Sequence, residues 1–154
     1  MDAYKAMVDT LRVNGIKYEE TEHEPVYTSE QAATIKGFSL EGGAKSLLLK
    51  ANDSFVLVVL SGSKKLDSKK VKLALGTKKL RFATTEEVKQ HMGCEVGACY
   101  PFGSIAKLRT YVDESLLNQS TISFNPGAHD KSIKLKLDDY LMLESPTRIS
   151  VSLD

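Results

Sequence analysis

Two apolar runs separated by a turn place the strongest limit on how this chain can fold. Leu47 to Leu49 form a short apolar run, and Phe55 to Leu60 form a longer one that is rich in β-branched residues. The stretch Ala51-Asn52-Asp53-Ser54 between them has the composition of a turn. Short runs that are apolar throughout are typical of strands buried on both faces. The sequence therefore predicts a central hairpin inside the core.

Lys45 lies at the entrance of the first of these strands, directly after Gly42, Gly43 and Ala44. Glycine permits backbone geometries that a side chain would forbid. A lysine here can pack its stem against apolar neighbours and present its ammonium to a cleft, where it meets a phosphate or polarises a carbonyl. The alternative is a solvated lysine at a strand end. This stretch alone leaves both interpretations open.

Composition indicates one ordinary globular domain, and we expect it to extend over residues 1–154. Lys and Arg together number 21 against 20 Asp and Glu, so the net charge of +1 indicates no particular partner. Met1 begins no basic-then-apolar leader, and no apolar run approaches the about 18 residues that a membrane span needs. The expected location is the cytosol.

Helices and strands alternate along the chain, which indicates α/β layers. Helix starts are predicted at Asp2, at Thr28 or Ser29, at Asp67, at the Thr84-x-x-Glu87 capping pattern and at Asp138, with stops at Asn14-Gly15, Gly37 and Gly76. Besides the hairpin, strands are predicted over Ile16–Thr21, Lys79–Phe82, Arg109–Asp113, Thr121–Phe124 and the alternating Ile133, Leu135 and Leu137.

One segment has a strong charge asymmetry. From Lys64 to Arg81, eight basic residues accompany a single acid, Asp67. Such a cluster can bind phosphates and release counterions, or it can be a solvated helix face. The absence of interleaved aromatic residues argues against stacking along a single strand and favours a duplex backbone as the target. The basic residues are Lys64, Lys65, Lys69, Lys70, Lys72, Lys78, Lys79 and Arg81.

The segment from Gly93 to Ser104 is too apolar and too rich in glycine for an ordinary exposed loop. Gly97 would let a ligand approach the backbone, and Pro101 would rigidify the exit, so N–H groups here could face a carbonyl or carboxylate oxygen. The only cysteines are Cys94 and Cys99, and we expect both to be reduced.

Two further uses of these cysteines are minority alternatives. A metal site would need partners such as His91, and a nucleophilic Cys99 would need His91 or His129 as a base. His129 follows Gly127 in a predicted turn, where a structural role is commoner than a catalytic one. Two interpretations of Tyr27 and Thr28 stay open: they form the wall of a pocket, or they belong to a capped turn.

Several of these segments, in this order and spacing, resemble the YbaK/ProX-type aminoacyl-tRNA deacylases, free-standing relatives of the editing domain of bacterial prolyl-tRNA synthetase. The resemblance covers nearly the whole chain. It rests on His23-Glu24-Pro25-Val26-Tyr27-Thr28, Gly43-Ala44-Lys45-Ser46-Leu47, Leu57 to Asp67, Leu75-Gly76 with Lys79 to Ala83, Gly97-x-x-x-Pro101-Phe102-Gly103 and Asn125-Pro126-Gly127-Ala128-His129.

The resemblance implies a single α/β domain, in which helices flank a curved, mostly antiparallel mixed sheet. It implies hydrolysis of the ester of a mischarged aminoacyl-tRNA without metal or cofactor. An alanine, serine, threonine or cysteine ester is the expected class, and tRNA for proline is the first candidate. The family members directed at alanine tend to carry asparagine where this chain has Ser46, which leaves the amino acid open. A non-catalytic module that binds tRNA or a synthetase is the rival interpretation.

The implied site residues fall into three groups. Lys45, Gly97 and His129 are the predicted catalytic group, with His129 shaping the site. The expected partners are the acceptor end and stem of tRNA, with a synthetase as a further candidate and with neither membrane nor DNA. Predicted substrate contacts are Tyr27, Thr28, Ser46, Ser61, Gly62, Ala98, Cys99, Pro101 and Phe102, and predicted tRNA contacts are Lys64, Lys65, Lys69, Lys70 and Lys72.

Overall fold

Two sheets carry the strands of the computed structural model, which describes residues 2–35 and 37–154. Predictions that include Met1 or Lys36 lie partly outside the described residues. The smaller sheet contains β1 (Tyr18–Glu22), β6 (Thr121–Phe124) and β7 (Lys131–Lys136), all antiparallel, in the order β1-β7-β6. The larger sheet contains β2 (Ala44–Ala51), β3 (Ser54–Ser61), β4 (Leu80–Phe82), β5 (Arg109–Asp113) and β8 (Thr147–Ile149).

The larger sheet is mixed, in the order β4-β2-β3-β5-β8, with β5 parallel to both of its neighbours. A bridge between Gly43 and Ser123 connects the two sheets, and Ser123 N–H donates to the Gly42 carbonyl at 2.9 Å. The predicted single α/β domain with mostly antiparallel strands is confirmed. The division into two sheets at this bridge is an addition to the prediction.

The predicted central hairpin is confirmed as β2 and β3, with Ala44 opposite Ser61 and Ala51 opposite Ser54. Strand β3 is buried on both faces, because Leu57 and Val59 pack in one hydrophobic cluster while Val56 and Val58 pack in the other. Each such side chain contributes about 1.5–3 kcal/mol through burial. The unbroken apolar run therefore reflects a strand with core on either side.

The helices are α1 (Ala3–Val13), α2 (Ser29–Ala32), α3 (Ser68–Leu75), α4 (Thr85–Met92) and α5 (Leu137–Glu144). Side chains of Asp2, Thr28 and Asp67 accept hydrogen bonds from the first turns of α1, α2 and α3, as predicted. The capping box of Thr84 and Glu87 is also confirmed. None of the helices among the described residues has the length and apolar character needed to cross a membrane.

Several boundaries differ from the predictions, and one strand, β8, was not predicted. Strand β1 begins at Tyr18, and α2 ends at Ala32 instead of continuing towards Gly37. Leu137 was predicted in a strand with Asp138 as the helix cap, but Leu137 is the first residue of α5. The Leu137 N–H donates to the Ser120 carbonyl, and the Leu137 side chain is buried. Asp138 lies inside the first turn of α5, where the helix dipole stabilises a carboxylate. Strand β8 is too short to have shown a period in the sequence.

Candidate functional site

A cavity of about 480 Å³ opens between the start of β2 and the segments that precede α2 and follow α4. It is lined by parts of the chain that are far apart in sequence, which the hairpin and the bridge between the sheets bring together. The lining residues are Tyr27, Thr28, Ser29, Glu30, Ala32, Phe38, Ser39, Gly43, Ala44, Lys45, Ser46, Leu47, Leu48, Phe82, Ala83, Val88, Val96, Gly97, Cys99, Ser123, Phe124, Asn125 and Ser132.

Lys45 is the single basic residue among the described residues that line the cavity, and it is half-buried. Its Nζ donates to the Lys64 carbonyl. Burial lowers the pKa of Lys45 below its ordinary value of 10.5, Glu30 opposes that shift and Lys65 adds to it. The ammonium is thus poorly solvated and retains donors for a ligand oxygen.

Ser46 also lines the cavity, and its hydroxyl is buried without a hydrogen-bond partner among the described residues. Buried hydroxyl groups normally have partners, because desolvation of an unpaired one costs about 1–3 kcal/mol. The unpaired Oγ of Ser46, in the cavity that Lys45 also lines, is therefore a polar contact available to a ligand.

Gly97 closes one side of the cavity with a φ of 89°, a left-handed conformation that favours glycine. A Cβ at this position would lie 3.1 Å from the Tyr27 carbonyl oxygen and 3.4 Å from His129 Cε1. Ala98 N–H is taken by the Glu95 carbonyl, whereas Gly97 N–H has no acceptor within the described part of the chain. Gly97 is thus one residue of this loop whose amide could face a substrate oxygen.

His129 supports the cavity wall without lining it. Its Nδ1 donates to the Val26 carbonyl at 2.9 Å, and its ring lies 4.3 Å from the Tyr27 ring, centroid to centroid. Nε2 is 3.3 Å from Glu95 Oε2 without hydrogen-bond geometry, and the two form an ion pair only when the imidazole is protonated. This placement fits the predicted shaping role.

The two cysteines are free and buried, with their Sγ atoms 3.7 Å apart. Cys99 lines the cavity. The hydrogen bond with Cys94 and burial raise the pKa of Cys99, which keeps its thiol protonated. Since the thiolate is the nucleophilic form, the geometry disfavours the alternative in which Cys99 attacks the substrate.

Five predicted substrate contacts lie outside the cavity lining. Ser61 Oγ is occupied by the Glu41 carbonyl and the Ser63 hydroxyl, both at 2.8 Å. Gly62 packs against Leu40 and Ser29, where a Cβ would come within 2.9 Å of the Leu40 carbonyl oxygen. Ala98, Pro101 and Phe102 are buried in the core behind the loop. These residues hold the wall in position, whereas Tyr27, Thr28, Ser46 and Cys99 line the cavity, and their contact with substrate stays a prediction.

The basic cluster is exposed over most of its length, but two of its members are already paired. Lys70 Nζ binds Asp154 Oδ1 at 3.1 Å and the Ser152 carbonyl at 2.9 Å. Arg81 forms two hydrogen bonds with Glu87, at 2.7 and 2.9 Å. Lys64 and Lys65 adjoin Lys45, whereas Lys69 and Lys72 are exposed on α3.

Several lining residues were not among the predicted site residues. Glu30 is the single acid among the described residues that line the cavity, and Phe82 and Val96 form part of its mouth. An apolar residue in a strand normally indicates core, so Phe82 was not predicted as a site residue, although it lies within a segment used for the family resemblance. Asn125 lies within a segment used for the family resemblance, which was a usable signal. No group of three His, Cys, Asp or Glu side chains within residues 2–35 and 37–154 is placed to hold a metal ion.

Comparisons with known proteins agree on one family. The profile of the aminoacyl-tRNA editing domain matches residues 23–143. Multifunctional Ser/Thr-tRNA deacylase ProXp-y of Escherichia coli K12 is 30% identical over 152 residues, covering 96% of this chain and 91% of that protein. Prolyl-tRNA editing protein ProX of Acetoanaerobium sticklandii is 28% identical over 145 residues, covering 90% and 88%.

A solved structure supports the fold independently. The crystal structure of a protein provisionally assigned as a trans-editing enzyme for prolyl-tRNA synthetase superimposes with a TM-score of 0.88 at 24% identity, covering 100% of this chain and 99% of that chain. The family profile, the two relatives and this superposition cover the segments on which the resemblance rested. The chain therefore belongs to the aminoacyl-tRNA editing domain family of YbaK/ProX-type deacylases.

Proposed function

We propose that this protein hydrolyses, in trans, the ester of mischarged aminoacyl-tRNA that carries a small amino acid, of the serine, threonine, alanine or cysteine class. The observation that carries this proposal is that one cavity is lined both by Lys45, which is half-buried and has a lowered pKa, and by Ser46, whose hydroxyl has no hydrogen-bond partner among the described residues. The names of the relatives, a Ser/Thr-tRNA deacylase and a prolyl-tRNA editing protein, support small amino acids and make tRNA for proline the first tRNA to test.

Lys45 is assigned to the substrate carbonyl. Water attacks the carbonyl carbon, the carbonyl oxygen gains negative charge, and the bond from carbon to the ribose oxygen then breaks while the water proton passes to that oxygen. A preorganised cation in a poorly solvated site stabilises the oxyanion more than it stabilises the ground state. Because an aminoacyl ester is already reactive, this mechanism needs no covalent nucleophile and no metal.

Two further groups complete the assignment. The free N–H of Gly97 can donate to the same oxygen or to another oxygen of the substrate, and Ser46 Oγ can bind the ribose or the amino acid. His129 orients Tyr27 and Gly97 through its contacts with both and is a positioning residue. A cavity of about 480 Å³ offers room for a small amino acid together with the ribose that it esterifies.

The test is a panel of mischarged tRNAs on one tRNA body. Seryl, threonyl and alanyl esters should be cleaved with overlapping efficiency, since one methylene that still fits changes discrimination by only about 1–3 kcal/mol. Leucyl and phenylalanyl esters should be cleaved hardly at all. A chelator should leave the rates unchanged.

Ser46→Leu should fill part of the cavity and so reduce the range of aminoacyl esters that the protein cleaves. The matched control is Ser54→Leu, which adds the same side chain at an exposed strand end. If no ester is cleaved although the tRNA binds, the protein is a binding module. If bulky esters are cleaved best, the small-amino-acid assignment is wrong.

A further inference from the structure

The mouth of the cavity exposes three large apolar side chains. Tyr27 is 59% exposed, Phe82 57% and Val96 54%, and all three line the cavity. Among residues 2–35 and 37–154, Tyr27 and Phe82 are the exposed Phe or Tyr side chains. Both exposed aromatic rings of the described chain therefore lie at one opening, which marks a binding surface and not scattered surface exposure.

Tyr27 is held in place before any ligand arrives. Its ring packs on His129, and Val26 and His129 exchange two hydrogen bonds of 2.9 Å, one from Val26 N–H to the His129 carbonyl and one from His129 Nδ1 to the Val26 carbonyl. Tyr27 N–H donates to Gln31 Oε1 at 2.7 Å. A ring fixed in this way loses little conformational entropy when a second flat group stacks on it.

Phe82 is held by strand pairing on the β4 side of the mouth. It lies opposite Leu49 in β2, and Ala83 N–H donates to the Leu48 carbonyl at 2.9 Å. The preceding Arg81 is engaged with Glu87, so its charge is neutralised beside the ring. These contacts fix the backbone around Phe82 but leave its side chain exposed, so the ring is an apolar surface available to a ligand.

We propose that Tyr27 and Phe82 form a stacking subsite for the terminal nucleobase of the tRNA acceptor end. This inference rests on the proposed function, because an ester carbonyl at Lys45 brings its ribose and the attached base towards the cavity mouth. Unpaired RNA ends are bound by stacking on aromatic side chains. Lys65, whose charge acts on Lys45, supplies positive charge where the phosphate of that nucleotide would lie.

The subsite also revises an expectation from the sequence. The basic segment contains no interleaved aromatic residues, which argued against single-strand stacking along it. Phe82 follows directly after that segment, and the fold adds Tyr27 from a distant part of the chain to the same cavity mouth. The base is therefore assigned to the cavity mouth, while the exposed lysines keep the phosphates.

The experiment compares two non-hydrolysable ligands on the unaltered protein by calorimetry. One is 3′-amino-3′-deoxyadenosine with serine joined to its 3′-nitrogen by an amide bond. The other is the same compound with hydrogen in place of adenine. The ligand with adenine should bind about tenfold or more tightly, within what a base–aromatic stack contributes. Adenosine monophosphate, which carries adenine but lacks the amino acid, should bind more weakly than the seryl ligand with adenine.

Variants locate the effect. Tyr27→Leu and Phe82→Leu should each reduce the preference for the base severalfold, whereas Met142→Ala, which removes an exposed apolar side chain remote from the cavity lining, should retain it. Equal affinity of the two ligands for the unaltered protein would overturn the subsite. That result together with normal hydrolysis of seryl-tRNA would leave the proposed function standing. Tighter binding of adenosine monophosphate would instead assign the subsite to a free nucleotide.

Discussion

The cavity around Lys45 and the exposed helix α3 both carry positive charge, but they carry it in opposite physical settings. Lys45 is half-buried, its pKa is lowered, and it shares its cavity with the Ser46 hydroxyl, which has no hydrogen-bond partner among the described residues. On α3, Lys69 and Lys72 are exposed to solvent and Lys70 is paired with the C-terminal Asp154. A desolvated charge acts strongly on one bond, whereas exposed charges act weakly and additively on a polyanion.

The comparison separates chemistry from affinity. Removing one desolvated group should lower the rate by a large factor, while removing one exposed lysine should lower affinity by a small, salt-dependent factor. Lys70 is paired with Asp154 and Arg81 with Glu87, so a count of basic residues overstates the charge available to tRNA.

The largest effect is expected for Lys45→Ala. It removes the charge assigned to the oxyanion, so the deacylation rate should fall by about a hundredfold or more, as when one oxyanion donor is removed. Single-turnover hydrolysis of seryl-tRNA measures this. Lys50→Ala, which changes a lysine of the same strand outside the cavity lining, should retain activity. Full activity in Lys45→Ala would remove the distinction between the two regions.

A somewhat smaller effect is expected for Gly97→Ala, with Gly76→Ala as its control. Both glycines have positive φ, but a Cβ at Gly76 would meet nothing within 4 Å, whereas one at Gly97 would press on Tyr27 and His129. Both variants should lose about 1–2 kcal/mol of stability from the left-handed backbone.

Only Gly97→Ala should also lose activity, by about tenfold or more, because small displacements near reacting groups are costly. Thermal unfolding and initial rates, measured on both variants, check this. Equal decreases of activity in the two would mean that Gly97 acts through stability alone.

Changes on the basic helix should have smaller effects, seen in binding. Lys69→Gln and Lys72→Gln should each weaken tRNA binding severalfold. Each should also reduce the salt slope, which is the slope of the logarithm of the binding constant against the logarithm of salt concentration, by about 0.7–0.9 for each phosphate that the protein no longer neutralises. Lys70→Gln should change the slope less, since Asp154 already neutralises Lys70. Filter binding at several salt concentrations distinguishes these outcomes. An unchanged slope in all three variants would show that α3 is merely solvated.

The smallest expected effect is a shift in pH dependence. Because burial lowers the pKa of Lys45, its charge should be lost as pH rises through a value below 10.5, and the enzymatic rate should fall there after correction for spontaneous hydrolysis. In that window the unfolded chain binds more protons than the folded one, so this group makes stability rise with pH. An NMR titration of the Lys45 ammonium with a midpoint at or above 10.5 would contradict the desolvation.

Local rules were sufficient for most elements of the fold. Asp2, Thr28, Asp67 and the Thr84–Glu87 pair cap helices as predicted, because capping depends on a few neighbouring residues. The unbroken apolar run of β3 likewise determined that both of its faces are buried. Asp138 failed as a cap because burial of Leu137 started the helix two residues earlier, and that burial is a tertiary contact.

The sequence by itself determined the hairpin, the caps at Asp2, Thr28, Asp67 and Thr84, the position of Lys45 at a strand entrance and the family resemblance, all of which depend on near neighbours or on ordered motifs. Only the tertiary structure decided which predicted residues line the cavity. It left Ser46 Oγ unpaired among the described residues, occupied Ser61 Oγ with backbone and side-chain partners, buried Phe102 and exposed Phe82. The reason is that desolvation and hydrogen-bond partners depend on segments distant in sequence, which meet only after the two sheets join at Gly43 and Ser123.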